Sequence, residues 1–161
     1  MRTIALATCT LLASLALAQE VNIDNSKLEP LLGDWSGNTQ FQEADATPGT
    51  IKGTKTLNGS WIRLDLKFEL EGIGPVEAVA MLCASADGSV EGHFFASTSS
   101  NALAGKGKVT AKKLIIIATS LDRESSMYFE FDMSVVDELK LEATNGGNHE
   151  QFLAGSYKRK K

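Results

Sequence analysis

The feature that most constrains the fold is strict alternation between apolar and charged residues. Residues 61–71 read WIRLDLKFELE, in which every second residue from Ile62 is apolar and every intervening residue is charged. Successive side chains of a β-strand point to opposite faces, so this pattern predicts a strand with one buried face and one solvated face. A second alternation over residues 127–135 places five apolar side chains on one face: Met127, Phe129, Phe131, Met133 and Val135. Both segments predict antiparallel sheet.

Turn residues divide the rest of the sequence into short strands. Asn58-Gly59 favours a two-residue hairpin turn between a strand over 51–57 and the strand that begins at Trp61. Further strands are expected over 34–42, 76–84, 90–98, 103–109, 114–121, 139–144 and 151–158. The one helical prediction is a short turn over 25–32. About ten consecutive strands with short connections favour a closed up-and-down antiparallel barrel over a sandwich, because closure removes exposed sheet edges.

The first 18 residues predict a secretory signal peptide. Arg2 precedes an apolar run over 4–17 that ends in the small-x-small triplet Ala16-Leu17-Ala18. This run is shorter than the roughly 20 residues that a membrane-spanning helix needs. We therefore expect cleavage after Ala18, export to the periplasm or the cell exterior, and a single mature domain of residues 19–161 without a membrane anchor. A lipoprotein modified at Cys9 is the less favoured alternative.

Composition excludes several kinds of partner and site. Sixteen Lys and Arg against twenty Asp and Glu give a net charge of -4, without the basic excess that nucleic-acid binding requires. Two Cys and two His in the whole chain are too few for a disulfide framework or a Cys-rich zinc site. The sequence contains no phosphate-binding glycine loop, metalloprotease helix motif or nucleophile elbow, so we predict no catalytic motif and no metal site.

Four short motifs follow one another along the chain: LLGDWSG at 31–37, LNGSW at 57–61, GHFFAS at 92–97 and GSYKR at 155–159. Their order and spacing resemble the bacterial lipocalin-like family named domain of unknown function 1579, in the calycin group. Phe94 and Ala96 depart from the Trp and the acid of that family. The resemblance implies a barrel that holds a small apolar ligand. It also implies that Arg159 or Lys158 stacks on Trp35 of the Gly33-x-Trp35 signature and closes one barrel end.

The strand face predicted to point inward defines a candidate ligand site. Its apolar members are Leu64, Leu66, Phe68, Phe129, Phe131 and Met133. Polar groups available to orient a ligand are His93, Ser97, Tyr128 and Cys83. A ligand of this interior would be small and apolar, and the binding hypothesis depends mainly on the resemblance.

Two further hypotheses stay open at this stage. A barrel filled by its own side chains would act as a structural or interaction module, whereas an enzyme could use His93 at the barrel mouth with Glu91 as its acid. No cofactor is expected, and haem bound by His93 or His149 is the less favoured alternative. Cys83, on a strand that is apolar on both faces, is expected to be a buried and inert thiol. The patterns do not indicate an oligomeric state.

Overall fold

The computed structural model describes residues 22–161 and shows ten antiparallel strands closed into a barrel, as the alternation predicts. The predicted signal peptide and Cys9 lie outside the described residues. The strands are β1 Gly33–Phe41, β2 Thr47–Thr56, β3 Trp61–Leu70, β4 Gly74–Ala84, β5 Ser89–Ala96, β6 Leu103–Val109, β7 Lys113–Ser120, β8 Ser126–Asp132, β9 Glu138–Asn145 and β10 Gln151–Arg159. Short 3-10 helices cover Ser26–Leu31 and Leu57–Gly59.

Each strand pairs with its neighbours in sequence, and β1 pairs with β10 to close the barrel. The turns therefore gather at two ends. We call the end with turns 57–60, 85–88, 110–112 and 133–137 the closed end, because the helix Ser26–Leu31 covers it with the fully buried Leu28 and Leu31. The open end carries turns 42–46, 71–73, 97–102, 121–125 and 146–150.

The closed half of the barrel is filled by large apolar side chains. These side chains lie on the inward faces of four strands and are completely buried: Ile62, Leu64, Leu82, Leu114 and Leu139. Charged residues such as Arg63 and Asp65 alternate with them on the outer face, where they pair with each other at 2.6 Å. The period of two thus places the core inside the barrel and the charges in water.

Arg159 joins the N-terminal helix to the last strand. Its guanidinium carbon lies 4.2 Å from the ring centroid of the buried Trp35, a cation–π arrangement. The same guanidinium donates to the carbonyl oxygens of Leu32 and Pro30, and its Nε donates to Asp137 at 2.9 Å. Of the two basic residues implied by the resemblance, Arg159 takes this position and Lys158 is exposed.

Gly33 makes the approach of Arg159 possible. Its φ of 111° lies in a region that other residues rarely adopt, and a Cβ built at this position would lie 2.6 Å from Nη1 of Arg159. Trp35, two residues later, donates its indole N–H to the carbonyl oxygen of Leu31 at 3.1 Å. Gly33 therefore leaves room for the guanidinium of Arg159, and Trp35, two residues later, provides the aromatic face beneath it.

The hairpin between β2 and β3 forms where Asn58-Gly59 predicts it, but the prediction of a two-residue turn is wrong. Thr56 pairs with Trp61, so the connection has four residues, and Asn58 adopts a left-handed conformation with a φ of 57°. The longer turn presents the Gly59 carbonyl to the side chain of the buried Asn25, which donates to it at 3.0 Å. The Oδ1 atom of Asn25 accepts from the backbone N–H of Ala84 at 2.8 Å, so one side chain ties the turn 57–60 and the end of β4 to the N-terminal segment.

The second alternating segment ends earlier than its pattern indicates. Strand β8 stops at Asp132, whose carboxylate accepts from the backbone N–H of Ser134 at 2.9 Å. Such a side-chain turn competes with strand pairing. Val135 and Val136 follow in the turn and are 52% and 87% exposed, so Val135 does not belong to the inward face.

The fully buried Tyr157 makes folding stability sensitive to alkaline pH. Its hydroxyl lies 2.6 Å from Thr39 Oγ1, and burial raises its pKa to about 12. An unfolded tyrosine ionises near pH 10, so above that pH the unfolded chain loses a proton that the folded chain keeps. We expect the free energy of unfolding to fall by about 2–3 kcal/mol from this group as pH rises from about 10 to 12.

Urea unfolding of wild type, Tyr157→Phe and Tyr128→Phe over this pH range tests the assignment. Tyr157→Phe should lose this part of the pH dependence, although it also loses the hydrogen bond to Thr39 at every pH. Tyr128, which lies half-buried on β8 and has a pKa that burial raises less strongly, provides the matched control. An unchanged slope in Tyr157→Phe would contradict the prediction.

Candidate functional site

A cavity of about 600 Å³ occupies the open half of the barrel. Its apolar wall comes from the inward faces of eight strands and includes Leu66, Phe68, Leu70, Val76, Phe94, Leu103, Phe129, Phe131, Leu141 and Leu153. The volume lies within the range of small-molecule sites, about 300–1,000 Å³. The barrel is therefore filled at one end and hollow at the other.

Small side chains on β4 and β5 explain why this half is hollow. Ala78, Ala80 and Ala96 all line the cavity, and Ala78 pairs directly with Ala96 across the two strands. Nearer the closed end the inward Leu82 and Val90 are larger, and at the small inward Gly92 the side chains of Phe94, Ile116 and Leu82 leave no free space. Because every inward position contributes volume to the interior, the three alanines leave space that their neighbours do not fill.

Aromatic rings face the cavity at two levels. Inside it, Phe94 and Phe129 stack with ring centroids 4.3 Å apart and planes at 12°. At the mouth, Phe41 and Phe152 meet edge to face with centroids 6.3 Å apart and planes at 69°. These pairs offer flat apolar surface to a ligand both in the interior and where it enters.

Polar groups of the cavity are concentrated at its mouth. The polar lining side chains, all on or beside the open-end turns, are Gln42, Thr98, Ser99, Asn101, Ser125, Ser126, Asn145, Glu150 and Gln151. Of the described side chains that line the cavity, Glu150 is the one that carries a charge. A ligand would therefore place its apolar body inside and its polar end at the mouth.

The structure brings four of the predicted interior residues to the cavity. Leu66, Phe68, Phe129 and Phe131 line it. Leu64 and Met133 are buried in the apolar core but contribute nothing to the cavity wall. The lining also includes Phe41, Phe94 and Phe152, which the inward-face prediction misses.

The prediction that His93 lies in the interior is wrong. On β5 the inward positions belong to Val90, Gly92 and Phe94, so His93 points to the outer face. There its ring lies against Trp61, with centroids 5.7 Å apart. His93 is therefore not positioned to act as a catalytic residue at the mouth or to bind an iron inside the barrel.

The other polar candidates also lie away from the cavity wall. Ser97, Tyr128 and Cys83 do not line it, and His149 is exposed on the turn 146–150. Cys83 is buried, and this burial, with the nearby Glu91, raises the pKa of its thiol, as expected of an unreactive cysteine.

Neither a metal-ligand cluster nor a helix suited to spanning a membrane occurs within residues 22–161. No group of three His, Cys, Asp or Glu side chains comes together there in a way that could hold a metal ion. None of the helices in the same range has the length and apolar character needed to cross a bilayer.

Comparison with solved structures identifies similar barrels. Rv2717c from M. tuberculosis superposes with a TM-score of 0.63 at 14% identity, over 85% of this chain and 97% of its own. The S-type phycobiliprotein lyase CPES from Guillardia theta superposes with a TM-score of 0.52 at 11% identity, over 85% of this chain and 92% of its own. No protein-family model matches the chain, and no characterised protein matches it in sequence. At these identities the similarity establishes the antiparallel barrel fold and no more than the fold.

Proposed function

We propose that this protein binds or carries a small apolar molecule in the open half of its barrel. The observation that carries the proposal is the apolar cavity of about 600 Å³ that reaches solvent at the open end. A structural module with a filled barrel would contain no such cavity. Larger side chains at positions 78, 80 and 96 would fill it. Leaving apolar side chains such as Phe129 unpacked costs stability, and a ligand that fills the space recovers those contacts.

The proposal includes the cellular location and the family. The N-terminal pattern of residues 1–18 supports export to the periplasm or the cell exterior, where the mature domain would begin at Gln19. The four motifs that resemble domain of unknown function 1579 support membership of that lipocalin-like family, together with the arrangement of Gly33, Trp35 and Arg159 at the closed end.

Native mass spectrometry of protein isolated from its own source tests binding and processing together. We expect the mass of residues 19–161 and an additional bound mass that is released into organic solvent and shows no haem absorption. With delipidated recombinant protein, we expect saturable one-to-one binding of the neutral apolar dye Nile Red. The absence of both a retained mass and saturable binding would contradict ligand binding, and a retained N-terminus would contradict processing after Ala18.

A further inference from the structure

We infer that the ligand is an apolar molecule with a positively charged end, such as a long-chain amine or ammonium compound. Its apolar body would lie in the cavity, with its cation at the mouth beside Glu150 and the rings of Phe41 and Phe152. The inference rests on the proposed function, because it names the class of ligand for the same cavity. Three observations support it: the position of Glu150, the aromatic pair beside it, and the charge of the open end.

Glu150 lies where the polar end of a ligand would lie. It lines the cavity from the turn 146–150, and its Oε2 accepts from the Asn148 side chain at 2.9 Å. Its backbone is fixed by a hydrogen bond from the N–H of Asn145 to its carbonyl oxygen, also at 2.9 Å. Within the part of the chain that the structure describes, Oε1 has no hydrogen-bond partner, and no Lys or Arg forms an ion pair with this carboxylate.

The aromatic pair at the mouth adds a second attraction for a cation. Phe152 is two residues from Glu150 in sequence, and its carbonyl oxygen accepts from the backbone N–H of Gln42 at 2.8 Å, next to Phe41. Both rings line the cavity. An ammonium group gains electrostatic stabilisation from the face of an aromatic ring and from a carboxylate, whereas a carboxylate ligand gains it from neither.

The charged residues of the open-end turns are mostly acidic, which favours a cation over an anion at the mouth. The five turns carry six carboxylates and one arginine, an excess of five negative charges, whereas the whole chain has a net charge of -4. These carboxylates belong to Glu43, Asp45, Glu71, Asp122, Glu124 and Glu150, and the arginine is Arg123. Charges of one sign around a cleft raise the local concentration of the opposite ion and disfavour ions of the same sign.

A series of ligands that differ only in the end group tests the inference. Displacement of Nile Red from the full mature chain would measure the affinities of dodecylamine, dodecanol and dodecanoate. Each compound is used at neutral pH and below its micellar concentration. We expect the amine to bind at least about tenfold more tightly than the carboxylate, with the alcohol between them. The preference for the amine should decrease as salt is raised.

Two variants that each neutralise one carboxylate test whether Glu150 causes the preference for the amine. Glu150→Gln should weaken dodecylamine binding about fivefold or more and leave dodecanol binding unchanged. Glu142→Gln is the matched control, since it removes the same charge from the exposed outer face of β9 and should leave both affinities unchanged.

The outcomes separate this inference from the proposed function. Dodecanol binding with equal or weaker binding of the amine would overturn the inference and leave the proposed function standing. Equal effects of the two variants would overturn the assignment to Glu150. Failure of all three compounds and of Nile Red to bind would overturn the proposed function itself.

Discussion

Replacing Trp35 by alanine should lower the free energy of unfolding by about 3–5 kcal/mol. The indole is 2% exposed and packs at the closed end, where it supports the helix Ser26–Leu31. Truncation leaves a cavity in the core, removes the hydrogen bond to the Leu31 carbonyl and takes away the aromatic face beneath Arg159. All three losses act on the same contact between the N-terminal helix and the last strand.

The other tryptophan of the chain provides the control for Trp35→Ala. Trp61 lies half-buried on the outer face against His93, so Trp61→Ala should cost only about 1 kcal/mol. Urea unfolding followed by circular dichroism suits both variants, because each removes a fluorophore. If the two variants lowered the free energy of unfolding by similar amounts, the result would contradict the buried, structural role of Trp35.

Placing a tryptophan at Ala78 should reduce the affinity for an apolar ligand at least about 100-fold, because the indole would occupy the space that the ligand needs. Ala78 lies on β4 in the cavity wall, opposite Ala96. The open space beside it accepts the new side chain, so we expect stability to stay within about 1 kcal/mol of wild type or to rise. Loss of binding without loss of stability is the informative result.

Ser156→Trp is the matched control for Ala78→Trp. Ser156 is exposed on the outer face of β10, so the same side chain there should leave Nile Red binding unchanged. Equilibrium titration of wild type and both variants, together with urea unfolding, gives the comparison. Wild-type affinity in Ala78→Trp would show that apolar ligands bind outside the barrel.

The fold could be predicted because its signals are local. Alternation on β3 is visible within eleven residues, and the hairpin turn lies directly before it. The same alternation correctly indicated that Leu66, Phe68, Phe129 and Phe131 face the cavity. Where large apolar residues and charges alternate, the sequence contains enough information to assign the two faces of a strand.

The sequence pattern misplaces His93 because β5 has small residues on its inward face and a large apolar residue on its outward face. Its inward positions include the small Gly92 and Ala96, whereas the outward Phe95 is apolar and 49% exposed. A Cβ at Gly92 would contact Phe94, Ile116 and Leu82 at 3.0–3.3 Å, so the absence of a side chain there reflects tight packing. Hydrophobicity alone cannot report that a glycine faces the core.

The hollow half of the barrel could not be predicted from any single segment. Whether an interior is filled depends on the sum of side-chain volumes around the whole circumference, and the neighbours of each strand are known only once the register is known. The sequence signal of the cavity is the pair Ala78 and Ala80 at alternate positions of β4, but Ala96 joins them only through the pairing of β4 with β5. Phe41 and Phe152 are separated by more than a hundred residues and meet only because β1 pairs with β10.

The pairing of β1 with β10 has a consequence for the order of folding. Nine hairpin contacts can form as soon as adjacent strands are available, but the seam between Gly33–Phe41 and Gln151–Arg159 must wait for nearly the entire domain to be present. Such a long-range contact is slow to form, because the entropy of closing the loop opposes it. Arg159 completes the closed end only at this last step. A chain shortened before β10 would therefore remain an open sheet with two unpaired edges, the state from which aggregation begins.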